Sequence, residues 1–328
     1  MVNNKKSYSV AIIVINFRTP ELITECLSKM SSTFENERVK LVVVDNDSQD
    51  DSVEKLGIWI NQQPYASRIT LVESQYNGGF SYGNNLGIKA VEADYYLLLN
   101  SDAYLVADCL DRLLIEIDKD KKIGIVSPKL TWPDSTPQES TFRFHHPLSE
   151  FIDQSKTGYI SRLFSNYIVA HPVQEADVNV EWTSFACVLI KKSLIEDIGL
   201  LDDEFFMYFE DVDYCFQASK SGWLVRHIPK VSAVHLRGGS SDVKKNTQLK
   251  KELPKYYYQS RTRIYFKCYG WLGLFFANIL WYMGRSIALL RMILGSKKMH
   301  GIKGQARGIW TNFFNPKGPF THPSEVNK

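Results

Sequence analysis

Ser9–Asn16 reads SVAIIVIN, a nearly unbroken β-branched run that stops on an asparagine. A strand apolar on both faces belongs inside a parallel sheet covered by helices on each side. Thr19-Pro20-Glu21 comes next as a helix start, with Pro in the first turn and Leu22, Cys26 and Met30 at helical spacing. Val39–Asp45 (VKLVVVD) is a second buried strand, stopped by Asn46-Asp47-Ser48, whose side chains suit turns and helix caps. Ile69–Glu73 makes a short third strand. A glycine-rich stretch, Asn77–Asn85, leads into a helix through Leu86–Val91, and Tyr95–Leu99 (YYLLL) is a fourth strand ending at Asn100-Ser101-Asp102. Strands alternating with helices predict an α/β fold, Rossmann-like, with a mostly parallel central sheet and helices on both faces. Such sheets bind ligands beyond the carboxyl ends of their strands. Asn16, Asp45 and Asp102 all fall at such ends.

Pro128–Val180 has few clear periods and reads as loops and short elements, Val188–Ile190 resumes strand character, and a helix is predicted from about Asp211. The 328 residues, 44% hydrophobic, suffice for a sizeable core and argue against a largely disordered chain. A net charge of +3 hides an asymmetry: residues 243–328 balance to +14, and residues 1–242 to −11. We therefore divide the chain into a domain over 1–242 and a basic, aromatic-rich helical region over 243–328. A tail of that kind seeks polyanions, either nucleic acid or an anionic membrane surface. Five scattered cysteines without a CxxC pattern argue against a disulfide framework or a zinc ribbon. The N-terminal apolar run is short, alternates like a strand and lacks a small-residue cleavage site, so a signal peptide is not expected.

Cys268–Gly284 holds 17 residues without a charge, among them Trp271, Phe275, Phe276 and Trp281. Extending the run to Leu294 puts Arg285 inside it, at about 2.5–3.5 kcal/mol if central to a bilayer. The surrounding Lys and Arg favour a helix lying at the membrane surface. A spanning helix and an ordinary docking helix are the alternatives.

Each chemistry-bearing group has a plain structural reading beside a functional one. Asp45-Asn46-Asp47 is strand-end turn chemistry, or a carboxylate accepting from a pyrimidine NH or a ribose hydroxyl. Asn77–Asn85 (NGGFSYGNN) fits neither GxGxxG nor a Walker loop; it is a tight turn, or a place where backbone approaches a ligand closely. Asp102 is a strand-end cap, or an oxygen ligand for Mg²⁺ or Mn²⁺ shared with substrate phosphates. Glu210-Asp211-Val212-Asp213 comes after the aromatic run FFMYF. Three carboxylates so close raise one another's pKa, which poises at least one as a base; the plain reading is a solvated helix N-terminus. His235 ends an apolar run ahead of a Gly238-Gly239 turn, and is a packing residue or a ligand.

Taken together and in this order, IIVINF, VVVDNDSQD, NGGFSYGNNLGI, LLLNSDA, the block EWTSFACVLIKKSLIEDIGLLDDEFFMYFEDVDYCFQASKSGW and VHLRGGS resemble glycosyltransferase family 2. These are inverting nucleotide-sugar enzymes of GT-A fold, and the likeness is to their bacterial rhamnosyltransferase-like branch, over about residues 8–270. The resemblance implies that Asn16 and Asp45 line a nucleoside pocket, with Asn77, Gly79 and Asn85 near ribose and diphosphate. It implies a metal, Mg²⁺ or Mn²⁺, on Asp102, with His235 completing the shell as in some relatives. Asn100 replaces the first acid of the family's DxD-like motif, leaving fewer anionic ligands. Asp211 matches the catalytic base, and Trp182, Asp202 and Glu210 fall on the acceptor side.

The resemblance implies transfer of a sugar from a nucleotide-diphosphate donor to a saccharide acceptor in cell-surface polysaccharide (O-antigen or capsule) synthesis. The branch points to L-rhamnose from dTDP-rhamnose; a UDP-hexose or another deoxysugar donor is the alternative. An acceptor linked to polyprenyl diphosphate would place the enzyme peripherally on the cytoplasmic face of the bacterial inner membrane, with Arg261 and Arg263 contacting the lipid diphosphate. Nucleic acid is not an expected partner. A processive synthase would want several long spans and a QxxRW motif, and a nucleotidyltransferase a Gly- and Lys/Arg-rich loop after the first strand. A non-catalytic binding protein gives no reason for the acids at 210–213.

Overall fold

The computed structural model describes residues 8–237, 242–295 and 302–323. In chain order the elements are β1 (Tyr8–Asn16), α1 (Pro20–Ser28), β2 (Val39–Asp45), α2 (Ser52–Asn61), β3 (Ile69–Glu73), α3 (Gly79–Ala90), β4 (Ala93–Leu99), β5 (Ala103–Leu105), α4 (Cys109–Ile117) and β6 (Ile123–Thr131). They continue through β7 (Thr141–Phe142), α5 (Pro147–Ser155), α6 (Gly158–Leu163), β8 (Val178–Val180), β9 (Trp182–Thr183), β10 (Cys187–Lys191), α7 (Lys192–Ile198), α8 (Glu210–Lys220) and β11 (Leu224–His235). The last three are α9 (Asp242–Gln248), α10 (Lys255–Ile293) and α11 (Gln305–Gly308). Among the described residues the chain forms two compact units, one of 8–141, 172–203 and 214–237, the other of 142–171, 204–213, 242–295 and 302–323.

The first unit is built on one sheet in the order β3-β2-β1-β4-β10-β6-β11-β5, with β8 added to β11. β3, β2, β1 and β4 are mutually parallel. β10 runs antiparallel to both β4 and β6, and β11 is again parallel to β6. The period of two in β1 sends its side chains to two different layers. Val10, Ile12 and Val14 join Ile23 and Leu27 of α1, Leu56 of α2 and Leu113 of α4 in one core. Ile13 and Ile15 face α3 on the other side. A Cβ at Gly87 would lie 2.4 Å from Ile13 Cγ2, and one at Gly83 3.0 Å from Ile15 Cδ1. These glycines therefore let a helix lie close on the sheet. For that reason α3 begins at Gly79, earlier than the loop-like composition predicts.

β11 is longer than its sequence suggests because Pro229 falls where the pairing with β6 shifts register, between Ile228 and Ser232. At such an irregularity a missing N–H costs no ladder bond. The Gly238-Gly239 turn expected after it lies outside the described residues. In the second unit α5 packs on the later part of α10, where a Cβ at Gly284 would stand 2.5 Å from the Phe151 carbonyl oxygen. Gly270, at φ 65°, interrupts α10. A left-handed residue there ends one helix and starts the next. None of the five cysteines is joined in a disulfide.

Candidate active site

Asn16 and Asp45 are register partners at the carboxyl ends of β1 and β2, and both are buried. Asn16 Nδ2 donates to Asp45 Oδ2 at 2.7 Å and to Ser48 Oγ at 3.1 Å. The Ser48 hydroxyl and amide in turn donate to the two Asp45 oxygens, at 2.7 and 3.0 Å. Arg18 N–H donates to Ser48 Oγ and Arg18 Nε to the Ser48 carbonyl, both at 2.9 Å. This mesh fixes the strand-end loops, in which Arg18, Asp47 and Gln49 take left-handed conformations at φ of 55–59°. Ser48 is the hub, although in the sequence it looks like one more turn residue. Asn77 Oδ1 accepts from Asn46 Nδ2 at 2.9 Å and from Gly79 N–H at 3.0 Å. Gly79 itself has φ 85°. Asn85 is spent inside the protein: its amide donates to the Leu201 carbonyl at 2.8 Å and accepts from Leu201 N–H at 3.1 Å. It thereby clamps the segment that carries Asp202.

Asp102 and His235 meet at the end of the sheet. His235 pairs with Ala103 in the β11–β5 register, which brings its ring beside Asp102. Nε2 lies 3.3 Å from Asp102 Oδ1 and 3.5 Å from Asn100 Nδ2. Gln138 Nε2 donates to the His235 carbonyl at 2.7 Å and holds the strand end. His235 Nδ1 is buried without a hydrogen-bond partner. Neighbouring ligands of an octahedral ion with bonds of about 2.1 Å stand roughly 3 Å apart, so the separation fits two ligands of one Mg²⁺ or Mn²⁺. No group of three or more His, Cys, Asp or Glu arranged to hold a metal occurs among the described residues.

The three acids at the start of α8 have three different environments. Tyr208 and Phe209, at φ 73° and 69°, turn the chain sharply into the helix. Such strain is commonly kept where function requires it. Glu210 is buried with Oε2 unpartnered. Burial, with the Asp211 charge beside it, pushes its carboxyl well above the ordinary carboxylate range. Asp213 is buried and ion-paired to Lys267 Nζ at 2.7 Å. Asp211 is only half-buried, and its Oδ1 accepts from Val212 N–H at 2.9 Å. The cluster is therefore less crowded than the sequence alone implies. Lys267, 54 residues away, compensates one acid, and no local pattern announces it.

Trp182 is buried on β9, and Asp202 is half-buried beside Leu201. Arg261 and Arg263 are both buried. Arg261 Nε donates to Glu150 Oε1 at 2.9 Å and Nη1 to Asn278 Oδ1 at 2.8 Å. Arg263 Nη2 reaches Glu204 and the carbonyls of Lys317 and Gly318 at 3.1–3.2 Å.

The chain resembles known proteins along most of its length. A low-salt glycan biosynthesis hexosyltransferase of Haloferax volcanii is 27% identical over 233 residues, which is 69% of this chain and 66% of that protein. An N-acetylglucosaminyl-diphospho-decaprenol L-rhamnosyltransferase of Mycobacterium tuberculosis is 22% identical over 157 residues, 45% of this chain and 48% of that one. The match thus spans about half to two thirds of the length of these relatives. The mannosyltransferase PcManGT of Pyrobaculum calidifontis, solved with GDP-Man and Mn²⁺, superposes with a TM-score of 0.56 at 15% identity, covering 95% of this chain and 83% of that one. The fold is accordingly of GT-A type. The model for glycosyl transferase family 2 matches residues 9–172, half of the sequence. The chain belongs to glycosyl transferase family 2.

Proposed function

We propose that the chain is an inverting glycosyltransferase that moves L-rhamnose from dTDP-rhamnose to a saccharide acceptor carried on polyprenyl diphosphate, in cell-surface polysaccharide synthesis. The observation that carries this reading is the Asp102–His235 pair, 3.3 Å apart at the end of the sheet. The rhamnosyl transfer named for the mycobacterial relative supports the donor and acceptor classes, and the hexosyltransferase name of the archaeal one keeps a UDP-hexose as the rival donor.

In this reading Asn77, Gly79 and the loop after β2 receive the nucleotide, with Asn16, Asp45 and Asn85 bracing the loops that hold it. Mg²⁺ or Mn²⁺, held by Asp102 and His235, supplies Lewis-acid stabilisation of the departing diphosphate. The acceptor hydroxyl attacks the anomeric carbon opposite the leaving group. One carbon–oxygen bond forms as the bond to phosphate breaks, and the anomeric centre inverts without an enzyme nucleophile. Asp211 takes the hydroxyl proton as general base. Lys267 confines the charge of Asp213 to an ion pair, and burial disfavours charge on Glu210. Asp211, half-buried at the start of α8, takes the role of base in this reading. Trp182 and Asp202 belong to the acceptor side.

The enzyme works peripherally on the cytoplasmic face of a bacterial inner membrane. α10 is long and apolar enough to cross a bilayer by length and composition, but one of its faces is occupied by protein. Leu274, Ala277, Asn278, Trp281, Gly284 and Ala288 are buried at helical spacing. Leu272, Phe276, Leu290 and Ile293 are exposed, at 52–79%. A helix with one face on protein and an apolar face outward suits the headgroup boundary, and the +14 tail suits anionic lipid.

The test is nucleotide release from a panel of dTDP- and UDP-sugars, with Mg²⁺ or Mn²⁺ and with EDTA. Release from dTDP-rhamnose that EDTA abolishes is the expected result. Release from another sugar nucleotide alone would replace the donor, and release from none would contradict the proposal.

A further inference from the structure

The second unit contains a cavity of about 700 Å³, walled by α5, the segment after it and the first part of α10. Its lining combines aromatic faces with charged groups, and those charges cancel. Arg261 is paired with Glu150, and Lys156 with Asp153 at 2.6 Å. His145 also lines it; burial and the Arg261 charge push its pKa down to about 4, so it adds no charge at neutral pH. Tyr257, Tyr258, Tyr265 and Trp281 supply rings. Three donors among the lining side chains are buried without a partner: Arg261 Nη2, on a residue 4% exposed, and the hydroxyls of Tyr258 and Tyr265.

A ligand for this cavity must satisfy those donors, which are costly to bury unpaired. It must also lie against aromatic faces and bring no net charge. A diphosphate fails the last condition, because a buried anion needs uncompensated cations around it. A hydrocarbon chain fails the first. A pyranose ring, with hydroxyls at its edge and C–H groups on its faces, meets all three. We infer that this cavity binds an uncharged saccharide unit of the acceptor and that Arg261 acts there as a hydrogen-bond donor to sugar oxygens rather than as a clamp for lipid diphosphate. The assignment to the acceptor rests on the transferase reading; the preference for an uncharged sugar does not.

The experiment titrates the full chain with methyl N-acetyl-β-D-glucosaminide and methyl α-L-rhamnoside, and in a parallel arm with inorganic pyrophosphate, by saturation-transfer difference NMR. Binding of at least one pyranoside is expected, weakened about tenfold by Tyr258→Phe, the loss of roughly 1.4 kcal/mol. The Tyr258 hydroxyl bonds nothing in the protein, so that variant should melt no lower than wild type. Arg261→Lys, which keeps the charge and removes the planar fork, should weaken the same pyranoside and be checked by the same melt. Absence of pyranoside binding, indifference to Tyr258→Phe, or displacement of the pyranoside by pyrophosphate would overturn the inference. Sugar-nucleotide turnover measured on the same samples separates the two ideas. Turnover without pyranoside binding sinks the cavity assignment alone, and pyranoside binding without turnover of any donor sinks the transferase reading alone.

Discussion

Four acids, Asp102, Glu210, Asp211 and Asp213, show how far environment divides side chains of one chemical kind. Asp213 depends on Lys267, whose ammonium lies 2.7 Å away. Lys267→Met should take that ammonium away from a buried carboxylate, costing about 3–5 kcal/mol in urea unfolding. A loss under about 1 kcal/mol would show that the pair is not needed. In the proposed metal role, Asp102 would offer a carboxylate oxygen and His235 a ring nitrogen. His235→Ala is expected to raise the Mg²⁺ or Mn²⁺ concentration for half-maximal nucleotide release about 10–100-fold, and Asp102→Asn to do more. An unchanged metal titration in both variants would remove the pair from the reaction. His227, buried on β11 with Ser127 Oγ 3.0 Å from Nδ1, carries a separate pH signature. Burial lowers its pKa from 6.5 to about 4. The unfolded chain therefore takes up its proton first as pH falls. Stability is complete above about pH 6.5 and declines toward pH 4, by up to roughly 3 kcal/mol from this one group. His227→Gln should flatten that acid limb in denaturation measured between about pH 4 and 7; an identical limb would contradict the assignment.

At the scale of elements, the parallel half of the sheet was legible because its cause is local. The apolar runs of β1, β2 and β4 can only be buried strands, and the observed bounds of β2 and β3 coincide with those read from sequence. α3 was less legible, because glycines that serve close packing look like glycines that serve a loop. Gly87→Val is expected to cost about 1–3 kcal/mol by overpacking against Ile13, and a melting temperature equal to wild type would refute the close approach. The site was legible at strand ends, where Asn16, Asp45, Asp102 and His235 could be picked out by position. Ser48, Gln138 and Lys267 were not, because each meets a partner 32, 97 or 54 residues away through a contact that only folding creates. The interruption of α10 was hidden for a similar reason: Gly270 sits in a charge-free run whose composition reads as one continuous helix.

For the whole molecule, the proposed work at an anionic surface rests on the charge of 243–328 and the outward apolar face of α10. Replacing Leu272 and Phe276 together by serine should weaken binding to phosphatidylglycerol vesicles at least tenfold while the melting temperature stays put, since each side chain transfers about 1.5–3 kcal/mol of apolar free energy when fully buried. Equal partitioning of variant and wild type would detach this face from the membrane. The proposed reaction requires that the chain hold a sugar nucleotide and separately deprotonate an acceptor, and Asp211→Asn distinguishes these tasks in a single variant. With sugar nucleotide and divalent ion present, donor affinity by calorimetry should match wild type while transfer falls about 10²–10⁴-fold; transfer near the wild-type rate would contradict the account.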